Sequence, residues 1–194
     1  NDAATIGVVS RAPAEGLQRL GRAGRIVVAD GGSTDQTVQR AQEAAGSTSP
    51  VTAIEYARPA VDVLRAPYHG LEGRPAAIRA ILREALSGGA AACVFLDGKL
   101  TSASGAWVAH LLDPVVAGSH DYVSPYYARH VFEGALTRSV VYPVFRALYG
   151  VRLRQPATGE FACSPQFAQH AMDQPFWDLG EAQTAIDLWL ASAA

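Results

Sequence analysis

Apolar positions along this chain follow two rhythms. Short runs rich in valine, isoleucine and alanine, bounded by Gly, Pro, Asp and Ser, predict buried strands over residues 5–10, 26–29, 51–56, 61–65 and 91–96. Between them, apolar residues recur every three or four positions and predict helices over 14–21, 34–45, 75–86 and 104–116. Beyond Asp121 the alternation loosens into a short strand over 123–127, a helix over 136–149 interrupted at Pro143, a loop or edge segment over 155–161 and an amphipathic helix over 180–191. Strands alternating with helices predict an α/β domain of three layers, with helices on both faces of a mainly parallel sheet. The first strand–helix–strand unit is tight, with little room for a full crossover helix.

The stretch RIVVADGGSTD, residues 25–35, organises the rest. Its apolar run ends in Asp30, Gly31 and Gly32 permit a tight exit, and Ser33 or Thr34 is placed to cap the following helix. A second run, residues 91–96, ends in Asp97. Two acids at the carboxyl ends of separate strands sit where open α/β sheets bind ligands. The glycine-rich exit offers backbone N–H groups to a phosphate, and Arg74, at the head of a helix after a loop over 68–74, offers a cation. A strand-ending Asp followed by Gly is also an ordinary turn.

Composition narrows the classes. A chain of 194 residues with 49% hydrophobic content suits one domain, and a net charge of -2 gives no polyanion-binding signature, so nucleic acid is not an expected partner. Cys93 and Cys163 make no disulfide framework, which points to a reducing, cytoplasmic setting. No apolar run is long enough for a membrane span and no signal peptide is visible, although Asn1 is not an initiator methionine. Neither G-x-G-x-x-G nor G-x-x-x-x-G-K-[ST] is present, and C-x-x-C, H-E-x-x-H and G-x-S-x-G are also missing.

VVADGGSTDQT resembles the signature of family 2 and related glycosyltransferases, which have the Rossmann-like GT-A nucleotide-diphospho-sugar fold. PYHGLEGRPAAIRAIL is similar to their second motif, and VFLDGKL sits where they carry Asp-x-Asp. DYVSPYYARH, TRSVVYPVFRALYG, RQPATGEF and AIDLWL resemble the bacterial glucosyl-3-phosphoglycerate synthase and mannosylglycerate synthase branch. The resemblance runs over nearly the whole chain. It implies one GT-A domain over 1–194, with a nucleotide-binding half over about 1–100 and an acceptor half over about 101–194, continuing past Ala194 in the natural chain. The implied reaction moves a hexose from a UDP- or GDP-linked donor to a small hydroxyl acceptor such as glycerate or 3-phosphoglycerate, with retention at the anomeric carbon. The implied partners are the nucleoside-diphosphate sugar, a small anionic or hydroxyl-bearing acceptor and, as an option, a second copy of the chain.

By the same resemblance Ser10 (at the end of the first strand), Asp30, Gly32, Ser33, Arg74 and Asp97 contact the donor, and Asp97 is the metal ligand for Mg or Mn. Thr137, Gly159, Glu160 and His130 fall on the acceptor side, and Asp187 is the acceptor-side base or orienter. Three positions depart from the pattern: the acid triplet reads Asp97–Gly98–Lys99, the downstream histidine ligand is missing, and Arg11–Ala12–Pro13 replaces a Tyr-Asn-Glu-like run. A protonated lysine binds no divalent metal. Lys99 therefore either neutralises the diphosphate leaving group directly or marks a solvated turn in a catalytically degenerate nucleotide-sugar-binding protein. His69 is a further donor-contact candidate, and Arg129, Arg146, Arg152 and Arg154 are candidates for binding an anionic acceptor.

Overall fold

The computed structural model describes residues 1–47, 49–56, 73–128, 130, 133–179 and 182–194. In chain order the elements are α1 (Ile6–Arg19), β1 (Ile26–Asp30), α2 (Thr37–Ala45), β2 (Val51–Glu55), α3 (Arg74–Ser87), β3 (Cys93–Phe95), α4 (Gly105–Val116) and β4 (Tyr122–Val123). A π-helical turn, Thr137–Val141, then runs into α5 (Tyr142–Tyr149), followed by β5 (Phe161–Cys163), α6 (Pro165–Met172), a 3-10 turn (Pro175–Asp178) and α7 (Ala182–Ala193).

The strands form two small sheets. β1 pairs with β2 in parallel, from Ile26 opposite Val51 to Asp30 opposite Glu55. β5 lies between β3 and β4 and is antiparallel to both, with Cys93 opposite Cys163 and Val123 opposite Ala162. A mainly parallel sheet therefore does not hold among the described strands. The segment read as a loop or edge leads instead into the central strand of the antiparallel sheet. Three residues, Phe161–Cys163, are too few to show a period-2 signal.

β5 also defines the layers. Phe161 and Cys163 face a core containing Ile78, Leu82, Phe95, Phe167, Ile186 and Leu190, from α3, β3, α6 and α7. Ala162 faces the opposite core with Ala12, Val108, Leu111 and Leu112, from α1 and α4. The result is α/β/α. Complete burial of Leu82 and Leu190 contributes roughly 2–3 kcal/mol each. Cys93 and Cys163 are free thiols, and burial pushes Cys93 up to about 11.

The largest correction concerns the N-terminus. Residues 5–10 are not a strand, and α1 runs unbroken across them and across the helix expected over 14–21. Its buried positions, Ile6, Val9, Ser10, Ala12 and Gly16, share one helical face, which packs on Ala41 of α2 and on α4. The β-branched Ile-Gly-Val-Val run and Pro13 argued against a helix, but tertiary burial overrides both. A Cβ on Gly16 would lie 2.8 Å from Val108 Cγ1, and one on Gly105 would lie 2.5 Å from Glu15 Cβ, so α1 and α4 approach backbone to backbone.

Smaller differences are local. α2 starts at Thr37, and neither Ser33 nor Thr34 caps it. Ser33 is drawn to Asp30 instead, while Asp35 accepts from the Thr37 N–H at 3.1 Å and from the Thr37 hydroxyl. That hydroxyl contact is the main cause holding the Asp35 carboxyl below its ordinary range. The expected break at Pro143 coincides with the change from π-helical turn to α5, because proline supplies no N–H. α6 went unpredicted. The expected strand over 61–65, the 68–72 part of the loop with His69, and Arg129 lie outside the described residues.

Candidate functional site

β1 delivers the Asp30 carboxylate to the rim of a cleft. The Ser33 N–H donates to its two oxygens at 3.2 and 3.1 Å, and the Ser33 hydroxyl donates at 2.5 Å. The turn that allows this passes through Gly32 at φ +94, a conformation that strains any side chain. The N-terminal residues close over the same rim. The Asn1 ammonium donates to Ser33 Oγ at 3.2 Å, and the Thr34 N–H donates to Asn1 Oδ1 at 2.8 Å.

β3 delivers Asp97 to the other side of the same cleft. Asp97 Oδ1 accepts the Lys99 N–H at 2.9 Å, which folds the Asp97–Gly98–Lys99 turn back on itself. The Thr5 hydroxyl donates to the Gly98 carbonyl at 2.7 Å and ties this turn to the start of α1. The Lys99 side chain is exposed and makes no ion pair among the described residues.

Arg74, the first residue of α3, is the hub. Its Nη2 donates to Asp187 Oδ1 at 2.9 Å and to the Gly159 carbonyl at 2.5 Å, and its Nε lies 3.3 Å from both Asp187 oxygens. Its Nη1 lies 3.7 Å from Asp97 Oδ2. Residues from α3, the β3 exit, the segment before β5 and α7 thus meet at one guanidinium, whose planar fork matches a carboxylate. Side-chain exposure is 14% for Arg74 and 19% for Asp187, low enough that neither charge is comfortable without the other.

Glu160, beside Gly159, is buried, and burial pushes its carboxyl above the ordinary glutamate range. The Tyr127 hydroxyl donates to Glu160 Oε2, and the Thr158 hydroxyl donates to the Glu160 carbonyl at 2.7 Å. Burial likewise pushes the Tyr122 phenol upward, with the nearby Asp187 charge adding to it.

The cleft has a volume of about 1200 Å³. Asp30, Gly32, Ser33, Arg74, Asp97, Lys99 and Gly159 all line it, and Asp187 reaches it through Arg74. Ser10 also lines it, but from within α1 and 2% exposed, so its expected place at a strand end is corrected. Thr137, at the start of the π-helical turn, and His130, exposed before Glu133, are not among the lining residues. The structure adds Asn1, the Arg74 hub and the Tyr127–Glu160 pair. Arg74 and Glu160 lie in stretches that carry the resemblance, but their partners could not be read there, because each contact joins distant segments.

A divalent cation fits these residues poorly. Among the described residues no group of three or more His, Cys, Asp or Glu side chains is placed to hold one. Asp97 and Asp187, the carboxylates nearest the hub, are both turned onto the Arg74 guanidinium.

The described residues form an α/β/α domain whose cleft is lined by Asp30 and Asp97. Among solved structures, the chain is similar to glucosyl-3-phosphoglycerate synthase from Mycobacterium tuberculosis in complex with Mn2+, UDP-glucose and phosphoglyceric acid. The TM-score is 0.55 at 24% identity, covering 86% of this chain and 54% of that one. The same enzyme with phosphoglyceric acid alone matches with a TM-score of 0.52 at the same identity and coverage. The chain thus shares this fold and spans about half the length of that enzyme. No family model and no curated protein sequence matches it. Among the described residues no helix is long and apolar enough to cross a membrane.

Proposed function

We propose that the domain is the donor-binding part of a glycosyltransferase that moves a hexose from a nucleoside-diphosphate sugar, UDP- or GDP-linked, to a small hydroxyl acceptor such as glycerate or 3-phosphoglycerate. The observation that carries this reading is the sharing of one cleft by Asp30, the last residue of β1, and Asp97, just past the end of β3. The shared fold with an enzyme crystallised with UDP-glucose and phosphoglyceric acid supports it.

In this reading Asp30, oriented by Ser33, accepts hydrogen bonds from the nucleoside, and the glycine turn at Gly31–Gly32 lets the ligand approach the backbone. Lys99, a cation on the lining with no ion pair among the described residues, neutralises the departing diphosphate as the bond from the anomeric carbon to its oxygen breaks. Asp187 is a positioning residue rather than a base, since Arg74 engages both its oxygens. Gly159 and Glu160 border the sugar. The rest of the rate enhancement comes from holding donor and acceptor in register.

A second reading, a nucleotide-sugar-binding relative without turnover, is favoured by one specific observation. Lys99 stands where the resemblance expects a second acid, and the described residues assemble no metal set.

Calorimetry with UDP, GDP and their glucose and mannose conjugates tests the proposal. Saturable binding of a diphosphate, weakened at least tenfold by Asp30→Ala, is the expected result, and no binding of any of them contradicts it. Product formation with 3-phosphoglycerate or glycerate separates the transferase from the binding-only relative.

A further inference from the structure

Cys93 opens β3 and Cys163 closes β5, and the antiparallel register sets them directly opposite each other. Both are free thiols, and the donor site uses neither.

Backbone polarity shows which kind of cross-strand pair they form. The Ser164 N–H donates to the Asp121 carbonyl at 2.9 Å, so Ser164 turns its polar groups toward the β4 side. Successive residues of a strand alternate, so Cys163 turns its N–H and C=O toward β3. Cys93 and Cys163 are therefore a hydrogen-bonded pair, a type whose Cα atoms lie about 5.5 Å apart. That spacing falls inside the range of roughly 4.4–6.8 Å that a disulfide spans. Opposite residues in a ladder also send their side chains to the same face. Here that face is the core built on Phe95, Phe161 and Phe167, in which Cys163 is buried and against which Cys93 packs.

The two sulfurs also sense each other. Burial pushes the Cys163 thiol well above its ordinary range, and an ionised Cys93 pushes it further. Burial raises Cys93 as well, so neither thiol ionises readily and both react slowly. Their access differs. Cys93 is half-buried and lies on the lining of the cleft, whereas Cys163 is 0% exposed. A reagent in the cleft meets Cys93 first.

We propose that Cys93 and Cys163 are a cross-strand modification site, which a small-molecule disulfide converts to an intramolecular disulfide. The Cys93 thiolate attacks one sulfur of the reagent, forms a mixed disulfide and expels one thiolate. The Cys163 thiolate then attacks Cys93 Sγ and expels the second. The two protein sulfurs are oxidised, the reagent is reduced to two thiols, and these take up the protons that the cysteines release. Opposite Cβ atoms in a ladder lie about 4.5–5.5 Å apart, and a disulfide holds them at about 3.5–4.5 Å. Closure therefore draws β3 and β5 together, and the bond opens readily under reductant. At the other end of the same ladder the Arg74 guanidinium bonds the Gly159 carbonyl and faces Asp97. The oxidised ladder is held at both ends. This inference stands independently of the proposed function, because it involves no donor or acceptor.

Equilibration in glutathione buffers of graded reduced-to-oxidised ratio tests it. Equilibrium is approached from the native protein and from protein unfolded in urea and then diluted, so that access to Cys163 does not limit the outcome. Peptides are mapped by mass spectrometry without reduction. A linked Cys93–Cys163 peptide, lighter by two hydrogens and found in the monomer, is expected from both starting points. Closing a loop of about 70 residues should raise the urea midpoint by about 1 M, and dithiothreitol should reverse the rise. Cys163→Ala should stop at a mixed disulfide on Cys93, and Cys93→Ser should leave the folded protein without glutathione on Cys163. Free thiols or mixed disulfides alone, at every ratio and from both starting points, overturn the proposal. So does a cross-link between two copies of the chain. A linked peptide with no rise in the urea midpoint shows a bond that the native ladder does not accommodate, and overturns it as well.

Discussion

Arg74 and Asp187 are 113 residues apart in sequence and joined at 2.9 Å in space. This pair fastens α7 to the head of α3, and the same guanidinium holds the Gly159 carbonyl and faces Asp97. One cation thus fixes three walls of the cleft.

Removing that cation leaves Asp187 with its chief partner gone and only 19% exposed. Arg74→Ala is expected to cost about 3 kcal/mol in urea unfolding, in the range for breaking a largely buried pair. Arg74→Lys should recover only part of this, because an ammonium cannot span Asp187 and Gly159 with one rigid fork. Equal stability of Arg74→Ala and the parent protein would show that the cluster does not secure the cleft.

Lys99 offers a contrast. Its side chain is exposed and makes no ion pair among the described residues, so Lys99→Ala should leave the unfolding free energy within about 0.5 kcal/mol of the parent. Affinity for UDP should nevertheless fall about tenfold, and the salt dependence of binding should become shallower. Unchanged UDP affinity would reduce Lys99 to a solvated turn residue.

Glu160 carries a pH signature. Its folded carboxyl titrates above the unfolded value because of burial, so the native state holds the proton more tightly. Below the unfolded range both states are protonated and there is no effect. As pH rises from there through the folded value, the unfolded state releases its proton first and stability declines. Glu160→Gln keeps an acceptor for the Tyr127 hydroxyl and should abolish that decline. Parallel pH–stability curves for the two proteins would contradict the assignment.

The crossing of α1 and α4 should be equally sensitive. A methyl at Gly105 would meet Glu15 Cβ at 2.5 Å and its backbone carbonyl carbon at 3.0 Å, and backbone has little room to give. Gly105→Ala is expected to cost about 1–3 kcal/mol, against the usual gain for replacing glycine in a helix. A stabilised variant would mean that the two helices separate without penalty.

Much of this architecture could be read from the chain. The run ending in Asp30, the run ending in Asp97 and the helices over 75–86 and 104–116 each carry strong local pattern, and local pattern matched tertiary need. The misreading of residues 5–10 has a definite cause. Ile6, Val8 and Val9 look like strand residues taken singly, and only the facing surfaces of α2 and α4 make their helical spacing decisive. β5 escaped notice because three residues carry no period, although it orders the antiparallel sheet. At the site, strand-end carboxylates announce themselves through the glycines that follow them. Arg74, Glu160 and Asp187 stand in stretches that carry the resemblance, but the pairing of Arg74 with Asp187 and of Tyr127 with Glu160 is not legible there, because each contact joins segments distant in sequence.

The most direct test of the donor site is a nitrogen-15 NMR titration of the protein with UDP-glucose. Saturable shifts are expected at the Gly32, Ser33, Gly98, Lys99 and Gly159 amides, with little change along Thr137–Val141 and α5. No saturable shift, or shifts confined to residues away from the Asp30–Asp97 rim, would contradict the proposed nucleotide-sugar site.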